Sequence, residues 1–186
     1  FLDGLSTEDS IRAAQKIQSL GYGTLWLPET VGKDPLTTSS LLLSVTTKLN
    51  LATGIVNIYH REPGVMLAAQ KTLAEQSQNR FILGMGVSHK PLVEGVRGLE
   101  YGPPVKTMRD YLSKMEASPY TGITSSEKPT KLIAALGPKM LELAAEKTDG
   151  AHPYFTSPEH TEFARKILGT DKKLCVEQKV MLEPDL

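Results

Sequence analysis

Asn79-Arg80-Phe81-Ile82-Leu83-Gly84-Met85-Gly86-Val87-Ser88-His89 is the stretch that decides how this chain folds. Its apolar run reads as a buried strand. The run ends in Gly-x-Gly-x-Ser-His, where small residues let backbone N–H groups approach a bound anion or a flat ring. His89 stands where the dinucleotide fingerprint Gly-x-Gly-x-x-Gly needs its third glycine, so that fingerprint fails. A glycine-rich strand exit without the Rossmann pattern points elsewhere, and the flanking chain shows where.

On either side, short apolar runs alternate with amphipathic helical stretches, the pattern of βα units around a parallel sheet. Ser6 is placed to cap a first helix, with Glu8 and Asp9 in its first turn and Ile11, Ala14, Ile17 and Leu20 on one face. Gly21 and Gly23 stop it, and Thr24 to Leu27 reads as a strand. Asp34-Pro35 opens a helix through about Leu49, and Leu51 to Val56 is the next strand. Pro63 opens a third helix to about Ser77, which the featured strand follows. Helices are then expected at Val105–Glu116, Pro138–Lys147 and Pro158–Leu168. Strands are expected at Lys131–Ala135, Gly150–Tyr154 and Leu174–Leu182. Lys90–Pro104 and Ser118–Thr130 are rich in Gly, Pro and Ser and read as loops within one domain.

Composition narrows the function. The 186 residues suffice for one domain with a sizeable core. Lys and Arg number 21 against 21 Asp and Glu, which argues against nucleic acid or a membrane surface as partner. The single cysteine, Cys175, forms no internal disulfide and has no metal-type spacing around it; it reads as a small apolar residue of the last strand. His152 and His160 lack the partners of a metal site. No apolar run is long enough to span a bilayer, and the expected setting is a reducing cytoplasm.

The expected exits of the strands are Pro28-Glu29, Gly54-Ile55-Val56-Asn57, Gly86-Val87-Ser88-His89, Gly137-Pro138-Lys139 and His152-Pro153-Tyr154. Each carries a glycine, a polar side chain or both. An open doubly wound sheet uses one or two exits at its switch point, whereas a barrel mouth uses many. The fold expected is therefore an α/β (β/α)8 TIM barrel. It is incomplete here, with about six of the eight strands, because a closed barrel needs about 250 residues. A flavodoxin-like sheet binding a phosphorylated ligand is the competing architecture, and strand order separates the two. Residues 1–186 form a single barrel domain in this reading. Phe1-Leu2-Asp3-Gly4 would follow an absent first strand, and a polypeptide longer at both ends is the expectation.

The segments Leu20–Glu29, Ala52–Asn57, Arg80–Ser88, Ala135–Met140 and Thr148–Ala151 carry a resemblance over nearly the whole chain. Taken in order, they resemble the luciferase-like flavin or deazaflavin monooxygenase/oxidoreductase superfamily, and most of all its actinobacterial branch using coenzyme F420. The resemblance implies a flavin-type ring across the barrel mouth, from F420 or alternatively FMN, a small-molecule substrate and a homodimer. It implies a bulge after the third barrel strand, often with a non-prolyl cis peptide, that props the ring; the matching bond is Gly54–Ile55. Gly86, Val87 and Ser88 match positions near the ribityl chain and phosphate, and Gly137-Pro138-Lys139 matches a second phosphate-proximal turn. Asn57 matches a position beside the ring, or else caps the turn before Pro63.

For proton transfer the candidates are Glu29 and His89, with His60 and His152 behind them. Many F420 relatives place a histidine where this chain has Leu27-Pro28-Glu29, which makes Glu29 the substitute. Its bland alternative is an ion pair with a neighbour such as Lys33, and that of Lys139 is a solvated first-turn lysine. Trp26 reads as core packing. The implied activity is hydride transfer or monooxygenation, with a non-catalytic flavin-binding barrel as the alternative.

Overall fold

The computed structural model describes residues 2–182; Phe1 lies outside them. Seven strands form one sheet: β1 (Thr24–Leu27), β2 (Asn50–Thr53), β3 (Val56–Asn57), β4 (Phe81–Gly86), β5 (Thr130–Ile133), β6 (Gly150–Ala151) and β7 (Lys173–Leu174). Each pairs in parallel with its neighbour in the order β1-β2-β4-β5-β6-β7, and β3 also pairs with β4. The order is sequential, with no reversal. A doubly wound flavodoxin-like sheet reverses its order at a switch point, so that alternative is excluded. The chain is an incomplete barrel of parallel strands.

One expected strand is divided. The residues expected as Leu51–Val56 form β2 and β3 on either side of a cis peptide at Gly54–Ile55. Both halves pair with β4, which places the interruption at the expected bond.

The helices are α1 (Thr7–Ser19), α2 (Pro35–Ser44), α3 (Pro63–Gln76), α4 (Pro104–Ala117), α5 (Pro138–Lys147) and α6 (Pro158–Leu168). Ser6 caps α1 as expected, its hydroxyl accepting from Asp9 N at 3.0 Å. Proline fills the first turn of the other five, where its missing N–H costs no hydrogen bond. Alternation along β4 divides the two faces of the sheet. Phe81, Leu83 and Met85 are fully buried in the main core, with Leu42, Met66, Met108, Leu112 and Leu141 of the helices. Ile82 instead lines the barrel interior with Trp26 and His152.

Three expectations need correction. Helix α2 ends at Ser44 rather than Leu49, because Gln18 Oε1 accepts from the amides of Thr47, Lys48 and Leu49 at 2.8, 2.8 and 3.1 Å. Those amides are thereby withdrawn from the helix. The expected strand Leu174–Leu182 is only Lys173–Leu174, with one further bridge between Tyr154 and Glu177. The expected loop Lys90–Pro104 contains a π-helical turn at Pro91–Val96.

Arg80, immediately before β4, has its own structural task. Its guanidinium donates at 2.9 Å to the Leu43 carbonyl, in the otherwise unpaired last turn of α2, and at 2.9 Å to the Leu49 carbonyl just before β2. Gln78 and Asn79 turn the chain from α3 into β4 with left-handed backbones, at φ 54° and 62°. No helix among the described residues is long and apolar enough to cross a membrane.

Candidate functional site at the barrel mouth

All five furnished exits meet at one end of the sheet. They surround a cavity of about 960 Å³, within the usual size of a cofactor site. Of the expected site residues, Glu29, Gly54, Ile55, Val87, Ser88, His89, Gly137, Pro138 and Lys139 line it. Val31, Leu92, Val105, Leu136 and Met140 make much of the remaining wall apolar.

Gly86 and Asn57 are not on that wall. A Cβ on Gly86 would lie 2.7 Å from the side chain of Ile55, so this glycine leaves room for Ile55. Gly84 is likewise turned to protein. The hydroxyl of Thr53 donates to its carbonyl at 2.8 Å and accepts from its N–H at 2.9 Å. The decisive stretch thus seats β4 tightly against β2 before it offers Val87, Ser88 and His89 to the cavity.

Asn57 is buried and takes the capping alternative. Its side-chain oxygen accepts from Tyr59 N at 3.0 Å, fixing the short 3₁₀ turn Ile58–His60, and its amide nitrogen lies 3.1 Å from His60 Nε2.

Glu29 reaches the cavity wall but is already engaged. One carboxylate oxygen pairs with Arg61 Nη2 at 2.6 Å. The other accepts from Asn57 N at 2.6 Å and lies 3.5 Å from His60 Nδ1. The ion-pair partner is therefore Arg61 rather than the sequence neighbour Lys33, which instead donates to Leu5 O. The same Arg61 nitrogen also pairs with Asp34, which caps α2 by accepting from Thr37 N at 2.8 Å. Burial alone would lower the basicity of Arg61, but the hydrogen bonds and charges of Glu29 and Asp34 outweigh it and hold the guanidinium more firmly protonated.

Asp34 gives a pH signature. Burial pushes its carboxyl up, yet the hydrogen bonds from Thr37 and Arg61 prevail and the net shift is downward. A depressed carboxylate stabilises the fold fully above its unfolded-state value and loses that contribution as pH falls through the folded value. Urea midpoints of wild type and Asp34→Asn should therefore differ at pH 6, and the difference should shrink progressively as pH falls below the ordinary aspartate range.

The segment after β4 is fastened at the rim of the mouth, where Ser88, His89 and Leu92 line it. Ser88 adopts a left-handed backbone at φ 56° that turns the chain sharply at the exit. Its carbonyl accepts from the Tyr101 hydroxyl at 3.3 Å. Tyr101 stacks on Tyr59, whose own hydroxyl accepts from Gly102 N at 2.9 Å. Arg97 donates to Thr30 O at 3.1 Å, closing the segment onto the exit of β1. His89 is exposed to the cavity, and its ring makes no hydrogen bond among the described residues.

On the opposite wall, α5 starts at Pro138 after Gly137, which supplies no side-chain cap. Met140 N and Leu141 N donate to Gly137 O, so in the first turn it is Lys139 N that makes no backbone hydrogen bond and is available to an anion. His152 also lines the cavity, buried beneath it. Its ring stacks on Trp26 with centroids 4.4 Å apart, a pairing that sequence alone gave no means of finding. Cys175 is half-buried, and its carbonyl rather than its thiol makes the contact with His152.

The family profile for luciferase-like monooxygenases matches residues 4–168. A Mycobacterium tuberculosis protein named as a coenzyme F420-dependent oxidoreductase is 29% identical over 171 residues, covering 76% of this chain and 49% of its own length. The 5,10-methylenetetrahydromethanopterin reductase of Archaeoglobus fulgidus is 29% identical over 163 residues, covering 78% of this chain and 49% of its own. The chain thus spans about half the length of these relatives. Among solved structures, the F420-dependent tetrahydromethanopterin reductase of Methanopyrus kandleri superposes with a TM-score of 0.73 at 20% identity, over 89% of this chain and 57% of its own. An F420-dependent secondary alcohol dehydrogenase, bound to an F420-acetone adduct, gives a TM-score of 0.77 at 15% identity, over 94% and 66%. Both share the barrel architecture.

Proposed function

We propose that this chain, which belongs to the luciferase-like monooxygenase family, holds a flavin-type ring across its barrel mouth and serves an oxidoreductase acting on a small organic molecule. The observation that carries the reading is the convergence of nine expected site residues on one apolar-walled cavity with an uncapped helix start on its rim. The ring fits what is there. Ile55, Val87 and Leu136 supply apolar surface for a flat ring, while the side chain and backbone N–H of Lys139 at the start of α5 complement an anionic tail. The names of the relatives favour the deazaflavin F420, with FMN as the alternative.

When bound, such a ring accepts or delivers a hydride; an FMN ring, unlike a deazaflavin, also activates oxygen. The protein contributes orientation and exclusion of water. In this reading Ile55 would face the ring, Ser88 and Val87 would border it, and Ser88, His89 and Leu92 of the pinned segment would wall the cavity. His89, exposed to the cavity, is the side chain assigned to exchange a proton with substrate. Glu29, held by Arg61 and Asn57, fixes the wall on which the others stand. The family pattern extends the proposal to a homodimer in the cytoplasm, the first part of which sedimentation equilibrium tests.

Titration of the protein with F420 and, separately, with FMN distinguishes the cofactors. F420 should bind in the micromolar range or tighter, with quenched or shifted fluorescence, and FMN at least about tenfold more weakly. The opposite order would assign FMN, and binding of neither would overturn the reading. Given binding, His89→Ala should lower turnover while leaving cofactor affinity within about twofold.

A further inference from the structure

Trp26 and His152 come from opposite flanks of the sheet, one within β1 and the other just beyond β6. Their rings stack face to face in nearly parallel planes, inclined by 8° with centroids 4.4 Å apart. His152 Nδ1 lies 2.7 Å from the carbonyl of Cys175. A carbonyl only accepts, so Nδ1 carries the proton and Nε2 of the neutral ring is bare. Burial keeps the imidazole neutral, against the opposing hydrogen bond to Cys175 and the charge of Glu177.

The two rings meet a single glycine. A Cβ on Gly54 would stand 3.0 Å from His152 Nε2 and 3.2 Å from Trp26 Cε3. The backbone at Gly54 therefore rests against both rings, with no space between. The next residue, Ile55, fills the gap above Gly86, and its carbonyl accepts from Glu29 N at 3.3 Å. Gly54 and His152 line the mouth and the barrel interior alike, so the stack is part of the partition between the two spaces.

We infer that the Trp26–His152 stack, anchored to the Cys175 carbonyl, is a brace that sets how far the Gly54–Ile55 peptide projects into the mouth. Trp26 and His152 are thus positioning residues for the ring bound there. The inference rests on the proposed function and adds to it the part that fixes the depth of the ring. A brace of two mutually supporting groups makes their effects non-additive: once one ring is lost, the other holds nothing. A ring seat displaced by a fraction of an ångström loses its fit to a rigid ligand.

The test uses the whole chain with Trp26→Leu, His152→Leu, the double variant and His152→Phe. Each single leucine variant should weaken binding of the preferred cofactor about tenfold and shift the absorption band of the bound ring. The double variant should be no weaker than about twofold beyond either single one. His152→Phe, which keeps the stack, should recover most of the affinity and the wild-type band. Leucine variants that bind with unchanged affinity and spectrum would overturn the brace and leave the proposed function standing. Wild type that binds neither cofactor would overturn both. Nitrogen-15 NMR of wild-type histidine supplies a readout that survives if leucine variants misfold. At neutral pH His152 should show a protonated Nδ1 and a bare Nε2, and the reverse tautomer or an imidazolium would overturn the inference.

Discussion

Gly84→Ala should cost at least about 3 kcal/mol of folding stability and leave little folded protein at 37 °C. A Cβ at this position runs directly into the main-chain carbonyl of Thr53 on the adjacent strand. Two features prevent relief. Thr53 is fully buried, and its hydroxyl exchanges two hydrogen bonds with the backbone of Gly84 itself. To admit one methyl group, β2 and β4 must separate, breaking both bonds and opening the core that Leu51 and Leu83 fill. Gly95→Ala is the control, since a Cβ there meets nothing within 4 Å. Its effect should stay within about 0.5 kcal/mol in the same urea titration. Equal midpoints for the two variants would refute the packing account of the decisive stretch.

Arg61→Met should be the second large effect, at about 3–5 kcal/mol. The Glu29 side chain is only 8% exposed and the Arg61 side chain 13%, so removing the guanidinium strands a carboxylate away from water. Asn57 N remains beside it, but a backbone amide carries no compensating full charge. The penalty belongs to the unpaired charge and not to the pair's net worth. Adding Glu29→Gln to Arg61→Met should therefore recover more than half of the loss, which a double-mutant cycle by urea unfolding measures directly. A double variant less stable than Arg61→Met alone would contradict this.

Which parts of this molecule could be read in its sequence follows from how local each determinant is. Helices α5 and α6 begin and end where their proline starts and apolar spacing place them, because caps and periodicity act within a few residues. The end of α2 escaped the same reading. It is set by Gln18 of α1, which holds the amides of Thr47–Leu49 out of the helix, and by Arg80 just before β4, which takes the Leu43 carbonyl. Likewise Lys33 is the nearer cation to Glu29 in sequence, but the barrel brings Arg61 against it instead. The split at Gly54–Ile55 and the mouth residues were legible through family pattern. Gly84 and Gly86 were legible as special but not in purpose. Small residues that admit a ligand and small residues that admit a neighbouring strand look alike until the strands are paired. His152 stands behind Glu29 and His89 in a sequence reading, since its meaning lies in Trp26 and Cys175, far from it in sequence.

The most direct test of the central claim is a crystal structure of the protein with F420, collected beside one with FMN. The account predicts ring density flat against Ile55, bordered by Val87 and Ser88, with the phosphate end at the start of α5 near Lys139. Density for the ring elsewhere on the molecule, or an F420 complex in which Ile55 and the α5 start touch no cofactor atom, would contradict it.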